Sequence, residues 1–321
     1  MIFRSLGKTG LKLSILGFGA SPLGNEFGKI DPVEGKKAVN LAIDFGINYF
    51  DVSPYYGRTL AEARLGDFLR GHREKVILAT KVGRYGKDLE TGFDFSRERI
   101  FQSIEESLSR LKTDYIDVYQ LHDIEFAEKK LIVEVAIPAL QELKQSGKVR
   151  FIGITGYPLQ LLRDIATNSE IDTVLSYCHY DLLDTTLNRD ILPAIEKKNL
   201  GLINAAPLHM GLLSNRMPPE WHPAPKRVVD ITREAKLKCR SLGVDISSLA
   251  LQFALAHESV ATTLIGMGSP EEVQLNTRAV GIAPDPYILR EVLNVLKPAK
   301  NIAWQEGRTE NFVPNAVPKQ T

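Results

Sequence analysis

The feature that most constrains the fold is the alternation of short apolar strands with helix-like segments along almost the whole chain. After an N-terminal β-hairpin over residues 1–13, eight strand–helix units follow in order. Such alternation is typical of parallel strands, and eight units favour a closed (β/α)8 TIM barrel over an open doubly wound sheet. No linker interrupts the 321 residues, so the sequence predicts a single domain over 1–321.

The predicted elements follow from apolar periodicity and capping residues. Predicted strands lie at 14–19, 47–50, 76–80, 115–121, 149–154, 173–177, 200–205 and 262–265. Predicted helices lie at 33–45, 60–70, 97–111, 128–146, 158–167, 186–199, 226–242, 247–257 and 270–280. Asp31 followed by Pro32 is a typical helix start. From Lys297 onward the chain is expected to cover a surface or to fray.

Composition and charge exclude several classes of protein. The chain has 44% hydrophobic and 25% charged residues and a net charge of +1, as expected for a globular protein without a field for nucleic acid or anionic membranes. No apolar run is long enough for a membrane helix, and no signal peptide is evident. Cys178 and Cys239 have no metal-ligand spacing. We therefore expect a soluble cytoplasmic protein without metal or disulfides, either a monomer or a small homo-oligomer.

Polar residues follow four of the predicted strands, at the point where each strand ends. Asp51 and Tyr56 follow the strand at 47–50, and Lys81, His122 and Thr155 end later strands. The carboxyl ends of parallel strands share one rim of a barrel, so these side chains are expected to meet there. Singly, each residue has an ordinary explanation as a turn, packing or solvated residue. Their order across consecutive strands favours a site.

The first four of these residues together suit proton transfer. A tyrosine hydroxyl has a pKa near 10, and the ammonium of Lys81 is expected to lower the pKa of Tyr56. Asp51 would keep Lys81 charged, and His122 could hydrogen-bond a carbonyl or alcohol oxygen. Such a group can move a proton to or from a polarised C–O bond while a nicotinamide moves the hydride.

The motifs around these residues resemble those of the aldo-keto reductase family. The matching stretches are Leu6–Gly19, Asp51-Val-Ser-Pro-Tyr-Tyr-Gly57, Ala79-Thr-Lys81, Leu121-His-Asp123 and Ile265–Asn276, in family order over almost the whole chain. The resemblance implies that Tyr56 is the acid/base, that Lys81 and Asp51 tune it, and that His122 orients the substrate.

The resemblance also implies a set of cofactor-binding positions. These are Thr155, Ser176, Ala206, Leu208, Gly266, Gly268, Glu272 and Asn276. The sequence departs from the family at two of them, where Ser176 replaces a glutamine and Ala206 a frequent serine. In addition, Gly156 after Thr155 replaces an amide, and the stretch at Ala205 and Ala206 offers no aromatic ring for the nicotinamide.

Glu272 bears on the choice of nicotinamide. Family members that use the 2′-phosphorylated form tend to carry a cation at this position. A carboxylate repels a phosphate but accepts a hydrogen bond from a ribose 2′-hydroxyl, so NAD is expected rather than NADP. The alternative is that Glu272 is an ordinary acid in the first turn of a helix.

Other stretches are similar to aldose dehydrogenases of the L-galactose type within the family, among them Leu121–Phe126 and Pro218–Pro223. They imply NAD-dependent oxidation of an L-galactose-like sugar at its anomeric carbon to the lactone. Substrate-binding candidates are Tyr55, Asp123, Trp221 and His222. Trp221 could stack on a sugar face and His222 could bind a hydroxyl, or the loop is a rigid surface loop whose tryptophan packs on the barrel.

Two other functions stay open from the sequence. One is an NADPH-dependent reductase of aldehydes or ketones. The other is a cofactor-binding regulatory subunit of the same fold, of the kind that attaches to channels.

Overall fold

The computed structural model describes residues 1–218, 221–313 and 316–318. Within this part of the chain, eight parallel strands close into a barrel, and a two-stranded antiparallel hairpin precedes it. The hairpin strands are β1 (Phe3–Ser5) and β2 (Lys12–Ser14). The barrel strands are β3 (Leu16–Gly19), β4 (Tyr49–Asp51), β5 (Ile77–Val82), β6 (Ile116–Leu121), β7 (Val149–Gly156), β8 (Thr173–Tyr177), β9 (Gly201–Ala205) and β10 (Thr262–Gly266). The predicted barrel with an N-terminal hairpin is confirmed.

The strand register brings the carboxyl ends of the strands to one rim. Neighbouring strands pair in chain order, and β10 closes the barrel against β3. Asp51 pairs with Gly19 of β3, and Lys81 pairs with Gln120 of β6. Every residue of β4 and β6 is buried, as expected for parallel strands covered on both faces.

The helices surround the barrel. Their bounds are α1 (Pro32–Asp44), α2 (Leu60–Phe68), α3 (Arg97–Leu111), α4 (Lys129–Leu131), α5 (Ile137–Gln145), α6 (Leu159–Asn168), α7 (Thr186–Asp190), α8 (Leu192–Lys198), α9 (Lys226–Ser241), α10 (Ile246–Leu255), α11 (Pro270–Thr277) and α12 (Pro286–Leu296). The Asp31 side chain accepts a hydrogen bond from the Val33 N–H at 2.8 Å, which confirms the predicted helix start.

Three helical regions differ from the sequence prediction. The predicted helix 128–146 contains a π-helical segment, Ile132–Ala136, just before Pro138, which has no N–H for the regular helical bond. The predicted helix 186–199 is divided into α7 and α8 at Ile191, two residues before Pro193. Helix α12 was missed, although Asp285 and Pro286 repeat the capping pattern that marks α1.

The N-terminal hairpin seals the end of the barrel opposite the rim. Leu6 and Leu13 are fully buried and pack with Tyr49, Val118 and Ile203 of the barrel interior. The Arg4 guanidinium donates to the carbonyls of Leu255, His257 and Val260 at 2.6–3.0 Å, ahead of β10. These bonds fix the hairpin to the chain that leads into the last strand.

The C-terminal segment crosses the rim itself. Trp304 is only 1% exposed and stacks on Tyr157, with ring centroids 4.4 Å apart. The Arg308 N–H and the Asn311 amide both donate to the Glu125 carbonyl at 2.9 Å. The segment therefore holds the turn that follows β6. No helix in the described part of the chain is long and apolar enough to cross a membrane.

Candidate active site

Lys81 and Asp51 form a buried ion pair between neighbouring strands. Lys81 is 2% exposed and Asp51 is 3% exposed. The Lys81 ammonium donates to the Asp51 carboxylate and, at 3.0 Å, to the Val52 carbonyl. The other Asp51 oxygen accepts from the Gln120 amide at 3.1 Å. Burial would lower the pKa of Lys81, but the charge and hydrogen bond of Asp51, with Tyr56 and Asp123, together outweigh burial and raise that pKa, so the ammonium persists at neutral pH.

Tyr56 lies on the turn after β4, against both the ion pair and His122. The Lys81 Nζ atom is 5.1 Å from the centroid of the Tyr56 ring, and the Tyr56 and His122 ring centroids are 5.7 Å apart. The structure thus brings together the four residues proposed from the sequence. Burial raises the pKa of Tyr56 to about 12 even though Lys81 opposes the rise. Lys81 lowers the pKa of Tyr56, as predicted, but burial raises it by more. The prediction of a lowered Tyr56 pKa is therefore wrong for the protein without bound cofactor.

A close backbone contact sets the position of the Tyr56 turn. Gly57 has a φ of +62°, and a Cβ there would collide with the backbone of Gly24. A Cβ at Gly24 would in turn lie 2.6 Å from the Tyr56 carbonyl carbon. Two glycines are therefore required where the loop after β3 meets the turn that carries the phenol.

A serine that was not among the sequence candidates orients His122. The Ser53 Oγ atom is 2.9 Å from His122 Nδ1 and also accepts from the Tyr55 N–H at 3.1 Å. A serine hydroxyl can donate to Nδ1 while its oxygen accepts the Tyr55 bond, and in that arrangement the imidazole proton is on Nε2. Ser53 lies inside the motif that contains Asp51 and Tyr56, so its position in the sequence could have indicated a role in the site.

The protonation of His122 makes folding stability depend on pH. Burial lowers the pKa of His122 to about 3, far below its value in an unfolded chain. The unfolded state therefore binds the proton more readily than the folded state. The contribution of His122 to the free energy of unfolding is complete above about pH 6.5 and is lost as the pH falls toward 3. Urea unfolding of H122N between pH 4 and 6.5 is expected to show a dependence shallower by up to about 1.4 kcal/mol per pH unit. An unchanged dependence would contradict a buried neutral imidazole.

An arginine that sequence reasoning also missed lies beside His122. Arg84 is paired with Asp123, and its guanidinium carbon is 4.0 Å from the centroid of the Tyr55 ring. Burial would raise the pKa of Asp123, but His122 and Arg84 hold it below its ordinary value. Two of the predicted substrate residues, Tyr55 and Asp123, therefore share one polar wall next to the imidazole.

Unpaired polar atoms mark where a nicotinamide carboxamide would fit. The Ser176 hydroxyl, the Gln120 carbonyl oxygen and the Asn204 carbonyl oxygen are buried and have no hydrogen-bond partner within the described residues. Thr155 accepts from the Asp123 N–H at 3.0 Å, and its own proton stays available. Buried polar groups normally have partners, so a group with amide donors and an acceptor would complete this rim.

The rim beside β10 suits the rest of a dinucleotide. A Cβ at Gly266 or Gly268 would lie 3.0–3.1 Å from the Pro22 ring, so both glycines keep this groove narrow but open. Ser269 caps α11 by accepting from the Glu272 N–H at 3.3 Å, and such a helix start favours phosphate. Asn276 is half-buried on the same helix.

Glu272 has two partners that the sequence did not reveal. One carboxylate oxygen accepts from Arg216 at 2.8 Å, and the other accepts from the Gly268 N–H at 2.8 Å. Arg216 belongs to the loop after β9, so this pair joins that loop to α11 across the groove. In the same loop Ala206 has a φ of +55°, and the Leu208 carbonyl accepts from Gly211 and Leu213.

The two substrate candidates in the proline-rich loop have different environments. Trp221 is 50% exposed, and its ring lies 6.3 Å from the ring of Phe27 on the loop after β3. His222 is buried; Nε2 hydrogen-bonds the His209 carbonyl at 2.9 Å and Nδ1 accepts from the Ala224 N–H. Neither imidazole nitrogen is left for a sugar hydroxyl, so His222 braces the loop instead. Residues 219–220 of the predicted loop lie outside the described residues.

A second polar cluster braces the same loop. Cys178, Asp181 and His209 place potential metal-binding atoms within 4.8 Å of one another. The His209 Nδ1 atom hydrogen-bonds Asp181 at 2.8 Å, while the other Asp181 oxygen accepts from two backbone N–H groups. These bonds account for the cluster as a support for the chain after β8 and β9.

Comparisons with known proteins identify relatives of this chain. The model of the Aldo/keto reductase family matches residues 15–292. L-galactose dehydrogenase from Arabidopsis thaliana is 46% identical, covering 96% of this chain and 98% of the relative. D-threo-aldose 1-dehydrogenase from a Pseudomonas species is 30% identical, covering 83% of this chain and 89% of that protein. The solved holo form of aldo-keto reductase AKR11C1 from Bacillus halodurans has a TM-score of 0.77 at 31% identity, covering 92% of this chain and 96% of its own.

Proposed function

Because this chain belongs to the aldo/keto reductase family, we propose that it is an NAD-dependent sugar 1-dehydrogenase that converts an L-galactose-like aldose to its lactone. Family membership makes the chain a nicotinamide-dependent oxidoreductase. The sugar and the direction of the reaction are proposed from its 46% identity to a plant L-galactose dehydrogenase.

The observation that carries this proposal is the buried cluster of Asp51, Lys81, Tyr56 and His122. When bound, NAD would accept the hydride from the anomeric carbon. Tyr56 first gives its own proton to solvent, and the adjacent Lys81 ammonium stabilises the resulting phenolate. That phenolate then takes the proton from the anomeric hydroxyl. The Nε2–H of His122 donates to the sugar oxygen and holds it in place.

The remaining rim residues would position the cofactor. Thr155, Ser176 and Asn204 offer the carboxamide a hydroxyl donor and unpaired acceptors. The capped start of α11 and the groove at Gly266 and Gly268 would take the phosphates.

A substrate panel tests the function. We expect the wild-type protein to reduce NAD with one or a few L-aldoses among a set of D- and L-aldoses, and to form the corresponding lactone. Product identity is checked by mass spectrometry and by the hydroxamate reaction of the lactone. Absence of aldose oxidation with either nicotinamide, in a folded protein that binds NAD, would contradict the proposal.

Replacing Glu272 with Gln tests the cofactor choice. The carboxylate repels a 2′-phosphate, and it also holds the one cation of the opposing loop, Arg216, that could pair with that phosphate. The E272Q variant is therefore expected to bind NADP about 10-fold more tightly than the wild type, with NAD affinity weakened by a few-fold. Titrations of intrinsic tryptophan fluorescence measure both dissociation constants without turnover.

The neighbouring acid Glu271 provides the matched control. It lies on the same first turn of α11 and is exposed. The E271Q variant should bind both nicotinamides as the wild type does. A wild-type preference for NADP would contradict the role given to Glu272. It would favour the alternative of an NADPH-dependent reductase of aldehydes or ketones, with Arg216 as the phosphate partner.

A further inference from the structure

The polar wall beside His122 contains an ion pair that the proposed proton transfer does not use. Arg84 follows β5, and Asp123 follows β6 directly after the catalytic histidine. The two side chains are bonded, and the arginine side chain is still 19% exposed. A guanidinium has five N–H donors, so donors remain beyond those that Asp123 accepts.

The position of Arg84 places its charge next to the reacting groups. Burial lowers the pKa of His122 and raises the pKa of Tyr56, and in both cases the Arg84 charge acts to lower the pKa. Its guanidinium also lies over the Tyr55 ring, whose centroid is 6.0 Å from that of His122. The ion pair therefore lies within reach of a substrate held by Tyr56 and His122.

A phenol with a fixed hydrogen bond continues the same wall. The Tyr177 hydroxyl lies 3.4 Å from a carboxyl oxygen of Glu125, and the same oxygen accepts from the Tyr157 N–H at 3.0 Å. Glu125 is fully buried, and its other oxygen has no partner within the described residues. Burial raises the pKa of Glu125 well above its ordinary value.

We propose that Arg84 and Asp123 bind two neighbouring hydroxyls of the substrate and thereby select a polyhydroxylated aldehyde or hemiacetal over an apolar one. This inference rests on the proposed function and names the residues that recognise the sugar. Each sugar hydroxyl can both donate and accept, so a vicinal pair matches a guanidinium that donates and a carboxylate that accepts. Because the pair is neutral as a whole, it suits an uncharged sugar rather than a sugar acid.

A cycle of substrate and protein variants tests the assignment. The values of kcat/KM are measured for L-galactose and for its monodeoxy derivatives with wild-type protein and with R84M. In the wild type, loss of a bound hydroxyl is expected to lower kcat/KM by about 10- to 100-fold. In R84M, kcat/KM for L-galactose itself is expected to fall by about 30-fold, and the penalty at the arginine-bound position should shrink to about 2-fold. Dividing the effect of each deoxy substitution in the wild type by its effect in R84M cancels the intrinsic reactivity of that deoxy sugar.

The R99M variant is a matched control, and the R84K variant tests the same position with a smaller risk of misfolding. Arg99 is likewise paired with a carboxylate, Glu106, and lies over a tyrosine ring, Tyr85, but it belongs to α3 and contacts neither Asp123 nor Tyr55. R99M is expected to keep the wild-type penalties. The R84K variant retains a positive charge beside Asp123 but loses the planar guanidinium, which can donate two hydrogen bonds at once. The fall in kcat/KM on removal of the arginine-bound hydroxyl should therefore be at least about 5-fold smaller in R84K than in the wild type.

The two proposals fail in distinguishable ways. Wild-type protein that oxidises no aldose would overturn the proposed function and this inference together. Deoxy penalties in folded R84M or R84K that equal those of the wild type would overturn the role of Arg84 alone. Binding of NAD, followed by tryptophan fluorescence, confirms that each variant is folded around an intact cofactor site.

Discussion

The Y56F variant is expected to lose about 10³-fold or more in kcat while its NAD affinity stays within about 2-fold of the wild type. The phenol oxygen is the group of the cluster proposed to take the anomeric proton, since Lys81 is held charged by Asp51 and the pKa of about 3 makes the His122 imidazole a weak base. Removing one oxygen leaves the ring, its contact with His122 and the backbone turn in place. Stopped-flow measurement of NADH formation gives kcat, and a fluorescence titration gives the dissociation constant of NAD.

A second tyrosine separates chemistry from packing. Tyr85 lies four residues beyond Lys81, under the Arg99 guanidinium and outside the cluster. The Y85F variant should therefore turn over like the wild type. If Y56F kept most of the activity, the phenol would not be the acid/base, and the proposed mechanism would fail at its central step.

Lys81→Met is expected to remove activity and also to lower the free energy of unfolding by about 3–5 kcal/mol. The reason is that the Asp51 carboxylate would be left charged and buried without its partner, and among the residues that the structure describes the Gln120 amide alone would still donate to it. Adding Asp51→Asn removes that charge, so the double variant should recover most of the lost stability. Activity should stay absent, because the phenolate of Tyr56 then has no ammonium beside it.

Urea denaturation at pH 7 measures both variants against the wild type. Asp67 and Lys112 form an exposed pair that serves as the control, since exposed ion pairs contribute little. Lys112→Met is expected to change the free energy of unfolding by less than about 1 kcal/mol. A stable Lys81→Met variant, or a double variant with restored turnover, would contradict a buried pair that serves the phenol.

The barrel and the four-residue cluster could be predicted because both follow from local patterns. Apolar runs separated by capped helices predict parallel strands, and a parallel register then places Asp51, Lys81 and His122 at one rim without any knowledge of loops. The missed helix α12 belongs to the same predictable class. Its Asp285 cap accepts from Tyr287 and Ile288 at 2.9 Å, as the residue pattern would have indicated.

The partners of loop residues could not be predicted from periodicity. His222 is held by a carbonyl thirteen positions earlier, and Glu272 by an arginine that is 56 positions away. Arg84 meets Asp123 only because two loops fold over the same side of the barrel. Such contacts depend on backbone turns, including the left-handed residues Ala206 and His209, that no alternation of apolar residues encodes.

The N-terminal hairpin and the segment at 304–311 lie at opposite ends of the barrel, which has a practical consequence for handling the protein. The hairpin that carries Met1 closes the barrel floor, whereas the segment with Trp304 and Arg308 holds the turn behind Asp123. A purification tag or an electrode linker fused ahead of Met1 would lie at the end of the barrel opposite the candidate active site. A linker placed after Trp304 would load the segment that holds the turn at Glu125, so sensors built on this scaffold should be attached through the N-terminal hairpin.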